Sequence, residues 1–228
     1  MGELLMSAPL FEFREAIAEI DPPRLYPIYG KRLFDLSAIV LMAPIILPLM
    51  LFIFVSTALF GGRPLYSQIR VGRDGRHFRC WKFRTMVPDA DIALGQILRE
   101  NPDLAEEWQN TQKLRLDPRI TPVGRMLRRT SLDELPQLWN VLCGTMSLVG
   151  PRPFLPDQKS LYLNGRSDAD YYQMLPGITG LWQVTRRNRG SFAERAVYDG
   201  SYRDTLGFWT DAVILIRTVF VVMRATGV

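Results

Sequence analysis

Residues 36–60, LSAIVLMAPIILPLMLFIFVSTALF, form a run without a single charged residue. A straight helix over this run would cover the ~30 Å hydrocarbon core of a bilayer, because an α-helix rises ~1.5 Å per residue. Pro44 and Pro48 lie inside the run, where each removes a backbone donor and clashes with the preceding turn. The sequence therefore predicts a long apolar helix that bends near residues 43–48.

Basic residues flank this run on both sides. Lys31 and Arg32 precede it, and Arg63 opens an arginine-rich segment after it. Both ends therefore favour the cytoplasmic side of a membrane. A helix that enters one leaflet, turns at the prolines and leaves on the same side fits the length, the bend and the charges, so we expect a re-entrant membrane helix over residues 31–62. A true span and a buried core helix are the alternatives, although the run is long for a core helix.

The composition indicates one main domain with an anionic partner. The 228 residues suffice for one substantial core, 47% of them are hydrophobic, and the formal net charge is +5. Nucleic acid, anionic lipid and phosphorylated metabolites all fit such a chain, and charge does not choose among them. His77 is the single histidine, which argues against a Ser-His-Asp triad. Cys80 and Cys143 are far apart, so we expect two buried, reduced thiols rather than a zinc site.

Two segments at the ends of the chain have patterns of their own. Residues 1–30 carry several acidic residues and no uninterrupted apolar core before the long run, which predicts a mobile or interfacial N-terminal extension rather than a cleaved signal peptide. Residues 212–223, AVILIRTVFVVM, are apolar but broken by Arg217 and too short to span. We expect this second stretch to lie in the membrane interface or to pack in the core.

The segment after the apolar run predicts a β-hairpin. Gly72 and Gly75 mark a turn between two short alternating runs within residues 63–84. In WKFRTM the alternation puts Lys82 and Arg84 on one face of a strand. Because most of the remaining pattern is helical, we expect an α/β (α+β) fold that is mainly helical, with a small β element, the re-entrant membrane helix and interfacial amphipathic helices.

The segment TSLDELPQLWN, residues 130–140, places two carboxylates side by side just after a pair of arginines. Ser131 and Glu134 match a helix capping box, which would make both residues structural. Pro136 disagrees, because it would then lie at an interior position and remove a needed hydrogen bond. We therefore expect the helix to begin at Asp133, with the carboxylate at the positive end of the helix dipole.

The neighbours of Asp133 indicate a site that handles phosphate. Arg125, Arg128 and Arg129 precede it, and VGPRP presents Arg152 on a rigid turn. In phosphate sites, arginines hold the substrate and a carboxylate binds Mg²⁺ or attacks phosphorus. An inert N-cap aspartate is the alternative on these residues alone.

Several long motifs, in order along the chain, resemble those of the bacterial sugar transferases, also called monotopic phosphoglycosyl transferases. The resemblance runs from about Lys31 to the C-terminus and includes the proline break at Pro44 and Pro48. Its motifs are KRLFD at 31–35, KFRTM at 82–86, DPRITPVGRMLRRTSLDELPQLWNVL at 117–142, MSLVGPRP at 146–153 and PGITGLWQV at 176–184.

The resemblance implies a membrane-bound sugar-phosphate transferase. Such an enzyme moves a sugar 1-phosphate from a UDP-sugar to undecaprenyl phosphate and releases UMP, which is the first membrane step of exopolysaccharide or other surface glycan synthesis. The short exopolysaccharide-type members, which use UDP-galactose or UDP-glucose and lack extra membrane helices ahead of this domain, are the most similar. The implied location is the bacterial inner membrane, with residues 63–228 as a catalytic domain on the cytoplasmic face.

The resemblance also implies roles for individual residues. Asp133 matches the nucleophile that forms a covalent phosphosugar intermediate and that lies at Mg²⁺, with Mn²⁺ as an alternative ion. Glu134 matches its partner, which orients the metal or accepts a proton. The residues that match phosphate-binding positions are Lys82, Arg84, Arg128 and Arg152. Arg187 and Asn188 match a nucleotide-binding element, in which Arg186 replaces the usual glycine.

Other functions remain open at this point. A transferase that uses a ternary complex, without an aspartyl intermediate, is the closest alternative, and a non-catalytic basic membrane scaffold is an alternative of another class. We expect no nucleic-acid partner, because no known binding module is present and the basic residues adjoin the apolar run. The expected partners are the UDP-sugar, undecaprenyl phosphate and membrane lipids, and the resemblance leaves a homodimer open.

Overall fold

The computed structural model describes residues 26–61, 63–111, 114–163, 170–186, 192 and 194–223. The predicted extension therefore lies outside the described residues up to residue 25, and only its last turn, a π-helix over Tyr26–Gly30, is seen. The α-helices are α1 (Lys31–Gly61), α2 (Ala90–Glu100), α3 (Pro102–Thr111), α4 (Pro122–Thr130), α5 (Gln137–Leu142), α6 (Lys159–Leu163), α7 (Leu181–Thr185), α8 (Arg195–Asp204) and α9 (Phe208–Met223). The strands are β1 (Leu65–Val71), β2 (His77–Phe83), β3 (Ser147–Val149) and β4 (Gly177–Thr179). The expectation of a mainly helical chain with small sheets is confirmed.

The apolar run lies in α1, which confirms the prediction of one long N-proximal apolar helix. Both Pro44 and Pro48 lie inside this helix, and the bend that they predict stays a prediction, as does the re-entrant path. In the described part of the chain, Tyr26–Leu59 is helical and apolar enough to cross a membrane, and only 11% of its most apolar window is buried. A core helix would be covered by its neighbours, so the alternative of a buried core helix is wrong.

The predicted hairpin is confirmed. β1 and β2 pair antiparallel from Leu65 opposite Phe83 to Val71 opposite His77. Asp74 and Gly75 take the left-handed backbone conformation in the connecting turn, with φ of 58° and 72°. The hairpin brings the side chains of alternate residues in both strands to one face.

A second, parallel sheet pairs β3 with β4 and carries the loop that presents Arg152. Ser147 lies opposite Gly177 in this pair. A Cβ atom on Gly177 would lie 2.1 Å from the backbone nitrogen of Gly150, so the two backbones are close enough to require glycine. This contact fixes the start of the VGPRP turn against the strand from PGITGLW.

The main core surrounds β3, and α9 covers it with one face. Ile214 of α9 is fully buried among residues such as Val149 and Tyr202. The opposite face of α9 is exposed and apolar, with Trp209, Ile216, Val219, Phe220 and Met223 at its surface. Core packing therefore accounts for one face of the second apolar stretch, and its interfacial position stays a prediction for the other.

The two cysteines differ in environment. Cys80 is buried in the main core, whereas Cys143 is exposed, and both are free thiols. The expectation of two buried thiols is therefore wrong for Cys143. The physical reason is its place at the C-cap of α5, next to the exposed Leu142.

Candidate active site

Asp133 and Glu134 lie on a single 3₁₀ turn, Leu132–Glu134, between α4 and α5. Ser131, at φ 58°, ends α4 by reversing the chain, and α5 begins at Gln137 with Pro136 before it. The prediction that a helix begins at Asp133 is therefore wrong by four residues. The proline does stand at the helix start, where its missing N–H costs little, but the left-handed Ser131 leaves the carboxylates on a separate, tighter turn.

The capping-box explanation of these residues is also wrong. The side chain of Ser131 makes no capping hydrogen bond to this turn, and the carboxylate of Glu134 binds side chains from other elements. Gly144, at φ 76°, follows the C-cap of α5 and ends that helix. The acidic pair is thus not used to start a helix.

α4 is held against the KFRTM segment, which fixes the position of the acidic turn. The Oγ1 atom of Thr121 caps α4 by accepting a hydrogen bond from the backbone N–H of Gly124 over 3.0 Å. A Cβ atom on Gly124 would lie 2.0 Å from the carbonyl oxygen of Thr85, so only glycine allows this approach. Nε of Arg128 donates to Oγ1 of Thr85 over 2.8 Å, which directs this arginine toward the same site.

Glu134 is the ion-paired member of the acidic pair. Its Oε1 atom accepts hydrogen bonds from Nζ of Lys82 and from a terminal nitrogen of Arg152, each over 2.7 Å. The second terminal nitrogen of Arg152 donates to Oε2 over 3.2 Å, so the arginine binds the carboxylate through both oxygens. Three elements, namely β2, the acidic turn and the VGPRP loop, therefore meet at one carboxylate.

Asp133 is the open member of the pair. Its side chain is buried, with 8% of the residue exposed, yet within the described ranges its carboxylate accepts no hydrogen bond. The closest cation, Nζ of Lys82, lies 3.9 Å from Oδ2 of Asp133. An oxygen of this carboxylate is therefore available to an incoming group.

The two carboxylates have pKa values shifted in opposite directions. Burial raises the pKa of Asp133 more than Lys82 lowers it, and the negative charge of Glu134 raises it further. Burial would also raise the pKa of Glu134, but Arg152 and Lys82 outweigh it and hold this pKa well below its usual range. A carboxylate with a strongly lowered pKa is a poor proton acceptor. The geometry therefore favours Glu134 as a clamp for the two cations and Asp133 as the reactive group.

A cleft opens beside the pair, and its lining contains an arginine that the sequence argument missed. The lining residues are Arg70, Cys80, Lys82, Glu134, Gln137, Arg152 and Pro153. Arg70 of β1 donates to the carbonyl oxygen of Pro153 over 3.2 Å and to Oε1 of Gln68 over 2.7 Å. In the sequence, Arg70 is one of several arginines that follow the apolar run. The hairpin register, which sets Arg70 opposite Phe78 and Tyr66 opposite Lys82, puts Arg70 and Lys82 on one face.

Other predicted site residues lie elsewhere. Arg84 donates from Nε to the carbonyl oxygen of Arg63 over 3.0 Å and stacks on Tyr66, so the structure does not bring it to the acidic pair. The physical reason is that Arg84 follows the last residue of β2 and turns back along β1. Arg187 and Asn188 lie outside the described residues, and their nucleotide-binding role stays a prediction.

The residues around Asp133 fit a magnesium ion that arrives with a phosphorylated substrate. Among the described residues, no group of three or more acidic, histidine or cysteine side chains is arranged to hold a metal. Mg²⁺ is usually bound by one or two carboxylates together with substrate phosphates and water. Both oxygens of Glu134 are already engaged, so Asp133 is the carboxylate that would hold the ion.

Comparisons with known proteins identify the family of this chain. Residues 26–225 match the bacterial sugar transferase family. The chain is 45% identical over 198 residues to a UDP-galactose-lipid carrier transferase of Erwinia amylovora, and equally so to an undecaprenyl-phosphate galactose phosphotransferase of Salmonella typhimurium. Each of these alignments covers 86% of this chain but 41% of the relative, so the chain spans about two fifths of their length.

A shorter relative matches over most of its length. The exopolysaccharide production protein ExoY of Rhizobium meliloti is 42% identical over 207 residues, which cover 88% of this chain and 89% of that protein. The family match and this coverage agree with the resemblance of the ordered motifs. The chain belongs to the bacterial sugar transferase family.

Proposed function

We propose that this chain transfers a sugar 1-phosphate from a UDP-sugar to undecaprenyl phosphate and releases UMP, through a covalent intermediate on Asp133. The observation that carries the proposal is the unequal acidic pair, in which Asp133 is open and Glu134 is clamped by Lys82 and Arg152. The names of the relatives support the acceptor and favour galactose as the sugar, and glucose, which the family resemblance also allows, is the alternative. The product would be the first lipid-linked sugar of an exopolysaccharide or another surface glycan.

The first step would transfer the phosphosugar to the protein. A carboxylate oxygen of Asp133 attacks the phosphorus that carries the sugar, the bond from this phosphorus to the UMP oxygen breaks, and that oxygen keeps the electron pair. Lys82, Arg128 and Arg152 reduce the repulsion between the carboxylate and the diphosphate. A bound Mg²⁺ would supply further charge neutralisation at the transferring phosphate.

The second step would regenerate the carboxylate. An oxygen of undecaprenyl phosphate attacks the same phosphorus, and the bond to Asp133 breaks. One phosphoanhydride is thereby exchanged for another, so the protein mainly has to position the groups and exclude water. Glu134 takes no proton in this scheme, in agreement with its lowered pKa.

The packing of α1 supports a membrane anchor with both ends on the side of the catalytic domain. Asp35 near the start of α1 binds Leu148 of β3, and Ile53 near its end packs with Phe83 and Leu127. The intervening surface is apolar and exposed, with Val40, Leu41, Ile45, Leu47, Leu51 and Phe52. Because both halves of the helix contact the same domain, we place that domain on one face of the membrane, namely the cytoplasmic face of the bacterial inner membrane.

A labelling experiment tests the covalent route. The protein is incubated with Mg²⁺ and a UDP-galactose radiolabelled in the sugar, without lipid acceptor, and then denatured. We expect label to remain on the wild type and on the control variant Asp157→Asn, whose side chain is exposed, and to be absent from Asp133→Asn. Release of UMP only when the acceptor is present, with no label on the wild type, would favour a ternary complex instead.

A further inference from the structure

Arg195, the first residue of α8, is held between two aromatic rings. Its guanidinium carbon lies 4.3 Å from the ring centroid of Trp182 and 4.3 Å from that of Phe192. Stacking on both sides fixes the plane of the guanidinium and leaves its edge to form hydrogen bonds. Trp182 belongs to the PGITGLW motif, so this arrangement joins α8 to a segment that the family resemblance already singled out.

Among the described residues, no carboxylate forms an ion pair with Arg195. Its Nε atom is buried and has no hydrogen-bond partner among these residues. Asp199, one turn further along α8, is buried, but its Oδ2 atom accepts a 2.6 Å hydrogen bond from the hydroxyl of Tyr162. Arg195 as a whole is half-buried. A cation partly removed from water without a hydrogen-bonded anion costs free energy in the free protein, and a phosphate would reduce that cost.

The two rings that hold Arg195 pack close to the active-site cleft. Trp182 shares a core cluster with Cys80, which lines the cleft. Phe192 packs against the cluster that contains Phe154, the residue after Pro153 of the same lining.

Burial, together with the charges of Arg152 and Arg70, lowers the pKa of Arg195 to about 10, while Asp199 acts in the opposite direction. Arg152 and Arg70 line the cleft beside Glu134. Arg128, which Thr85 orients, also acts on the carboxylate of Asp133 by lowering its pKa. Cations from several elements therefore surround the open carboxylate.

A diphosphate donor has two phosphate groups to be placed at these cations. The phosphate that carries the sugar must lie at Asp133, and in-line displacement puts the leaving phosphate on the far side of it. We propose that Arg195 binds the leaving phosphate of the nucleoside diphosphate sugar, an inference that rests on the proposed function. When the phosphoanhydride bond breaks, the leaving oxygen gains negative charge, and a stacked guanidinium stabilises that charge through charge-assisted hydrogen bonds.

The test separates donor binding from acceptor binding. UMP affinity is measured by calorimetry on Asp133→Asn, which cannot turn over, and on the same variant with Arg195→Gln added. The KM values for the UDP-sugar and for undecaprenyl phosphate are measured on the single variant Arg195→Gln. We expect Arg195→Gln to weaken UMP binding and to raise the donor KM by about 10- to 100-fold, as loss of a charge-assisted contact predicts, and to leave the acceptor KM within about twofold. Arg195→Lys, which keeps the charge but not the planar fork, should give an intermediate loss.

Arg203→Gln is the matched control, because Arg203 lies on the same helix and is exposed, with its guanidinium paired to Asp170 and Asp204. UMP affinity unchanged by Arg195→Gln would overturn the inference. Equal rises of donor and acceptor KM, together with a lower unfolding temperature, would also overturn it, since the stacked arginine would then be structural. UMP release by the wild type is the control for the proposed function. If the wild type releases UMP, these outcomes test the role of Arg195 alone. If the wild type neither binds nor releases UMP, both proposals are overturned.

Discussion

The carboxylate of Asp35, in the second turn of α1, accepts a hydrogen bond from the backbone N–H of Leu148 in β3 over 3.1 Å. Its other oxygen accepts a 2.6 Å hydrogen bond from Oγ of Ser147. The strand that receives these bonds leads directly into the VGPRP loop and Arg152. The start of the apolar helix is therefore fixed to the element that positions an active-site cation.

Arg32 makes a second connection of this kind. Its guanidinium donates to the carbonyl oxygen of Leu142 over 2.8 Å and to that of Val141, at the C-terminus of α5. Lys31 binds Asp211 of α9 over 2.7 Å. The KRLFD motif thus uses its charged side chains inside the protein, rather than leaving them all to lipid headgroups. These contacts mechanically link the start of α1 to α5 and β3, the elements that follow the acidic pair in the chain.

Replacing Asp35 should destabilise the protein. Asp35→Ala leaves the hydroxyl of Ser147 and the N–H of Leu148 unpaired in the core, which costs about 2–4 kcal/mol in the free energy of unfolding. Thermal unfolding of the detergent-solubilised protein measures this loss, with Ser37→Ala on the exposed face of the same helix as the control. Combining Asp35→Ala with Ser147→Ala should cost less than the sum of the two single changes. Equal stability of Asp35→Ala and wild type would contradict the proposed link.

Both ends of α1 should be accessible from the cytoplasm. In a Cys143→Ser background, single cysteines replace Tyr29 before the helix and Arg63 after it, both of which are exposed. An impermeant maleimide should label both in inverted inner-membrane vesicles and neither in intact cells. Arg73→Cys, in the exposed hairpin turn, marks the cytoplasmic face as a control. Labelling of the two sites from opposite sides would rule out the re-entrant path in favour of a span.

The sequence predicted the elements whose pattern is local. The uncharged run predicted α1, and Gly72 and Gly75 predicted the turn between β1 and β2. Both signals come from residues within the element itself. The start of α5 was placed wrongly, since the outcome depended on the left-handed backbone of Ser131. A non-glycine residue seldom adopts that conformation, and nothing in the sequence around it indicates one.

The sequence motifs predicted several of the residues that form the site but not how they pair. Lys82, Arg152 and the acidic pair do meet, but their unequal pairing depends on side-chain distances that no spacing gives. Arg70 was missed because its place in the cleft follows from cross-strand register, and Arg195 was missed because its partners, Trp182 and Phe192, come from separate segments. Such long-range contacts are set by packing rather than by local pattern.

The rate of intermediate formation should depend on the charge of Asp133. Its carboxylate must be ionised to attack, and burial raises its pKa. The rate should therefore fall on the acid side of the pH profile (the acid limb) at a pH above ~3.9, the ordinary aspartate pKa. Glu134→Gln removes a negative neighbour and thereby lowers the pKa of Asp133, which should move the limb to lower pH while reducing the rate. Rapid-quench labelling across pH measures both effects. A limb that moves to higher pH in Glu134→Gln would contradict this arrangement.

A lysine at position 152 should not restore the function of Arg152. The guanidinium binds both oxygens of Glu134, which one ammonium group cannot do in the same geometry. Arg152→Lys should therefore slow labelling by about 10- to 100-fold, corresponding to loss of a charge-assisted contact. Arg129→Lys, on the exposed side of α4, serves as the control and should label at the wild-type rate. Arg84→Gln should also stay close to wild type, because Arg84 binds the carbonyl of Arg63 instead of the acidic pair.

Asp199 should make the protein less stable as pH rises. Burial raises its pKa to about 7 in the folded state, whereas an unfolded aspartate titrates near ~3.9. The folded protein thus holds this proton more tightly, and the cost of ionising the buried group grows from about pH 4 until it levels off above about pH 7, reaching about 4 kcal/mol. Asp199→Asn keeps an oxygen to accept the hydrogen bond from Tyr162 and removes the ionisation. Unfolding temperatures measured between pH 4 and 8, with the exposed Asp157→Asn as control, should therefore fall less steeply in Asp199→Asn than in the wild type, and an identical pH dependence would contradict a raised pKa at Asp199.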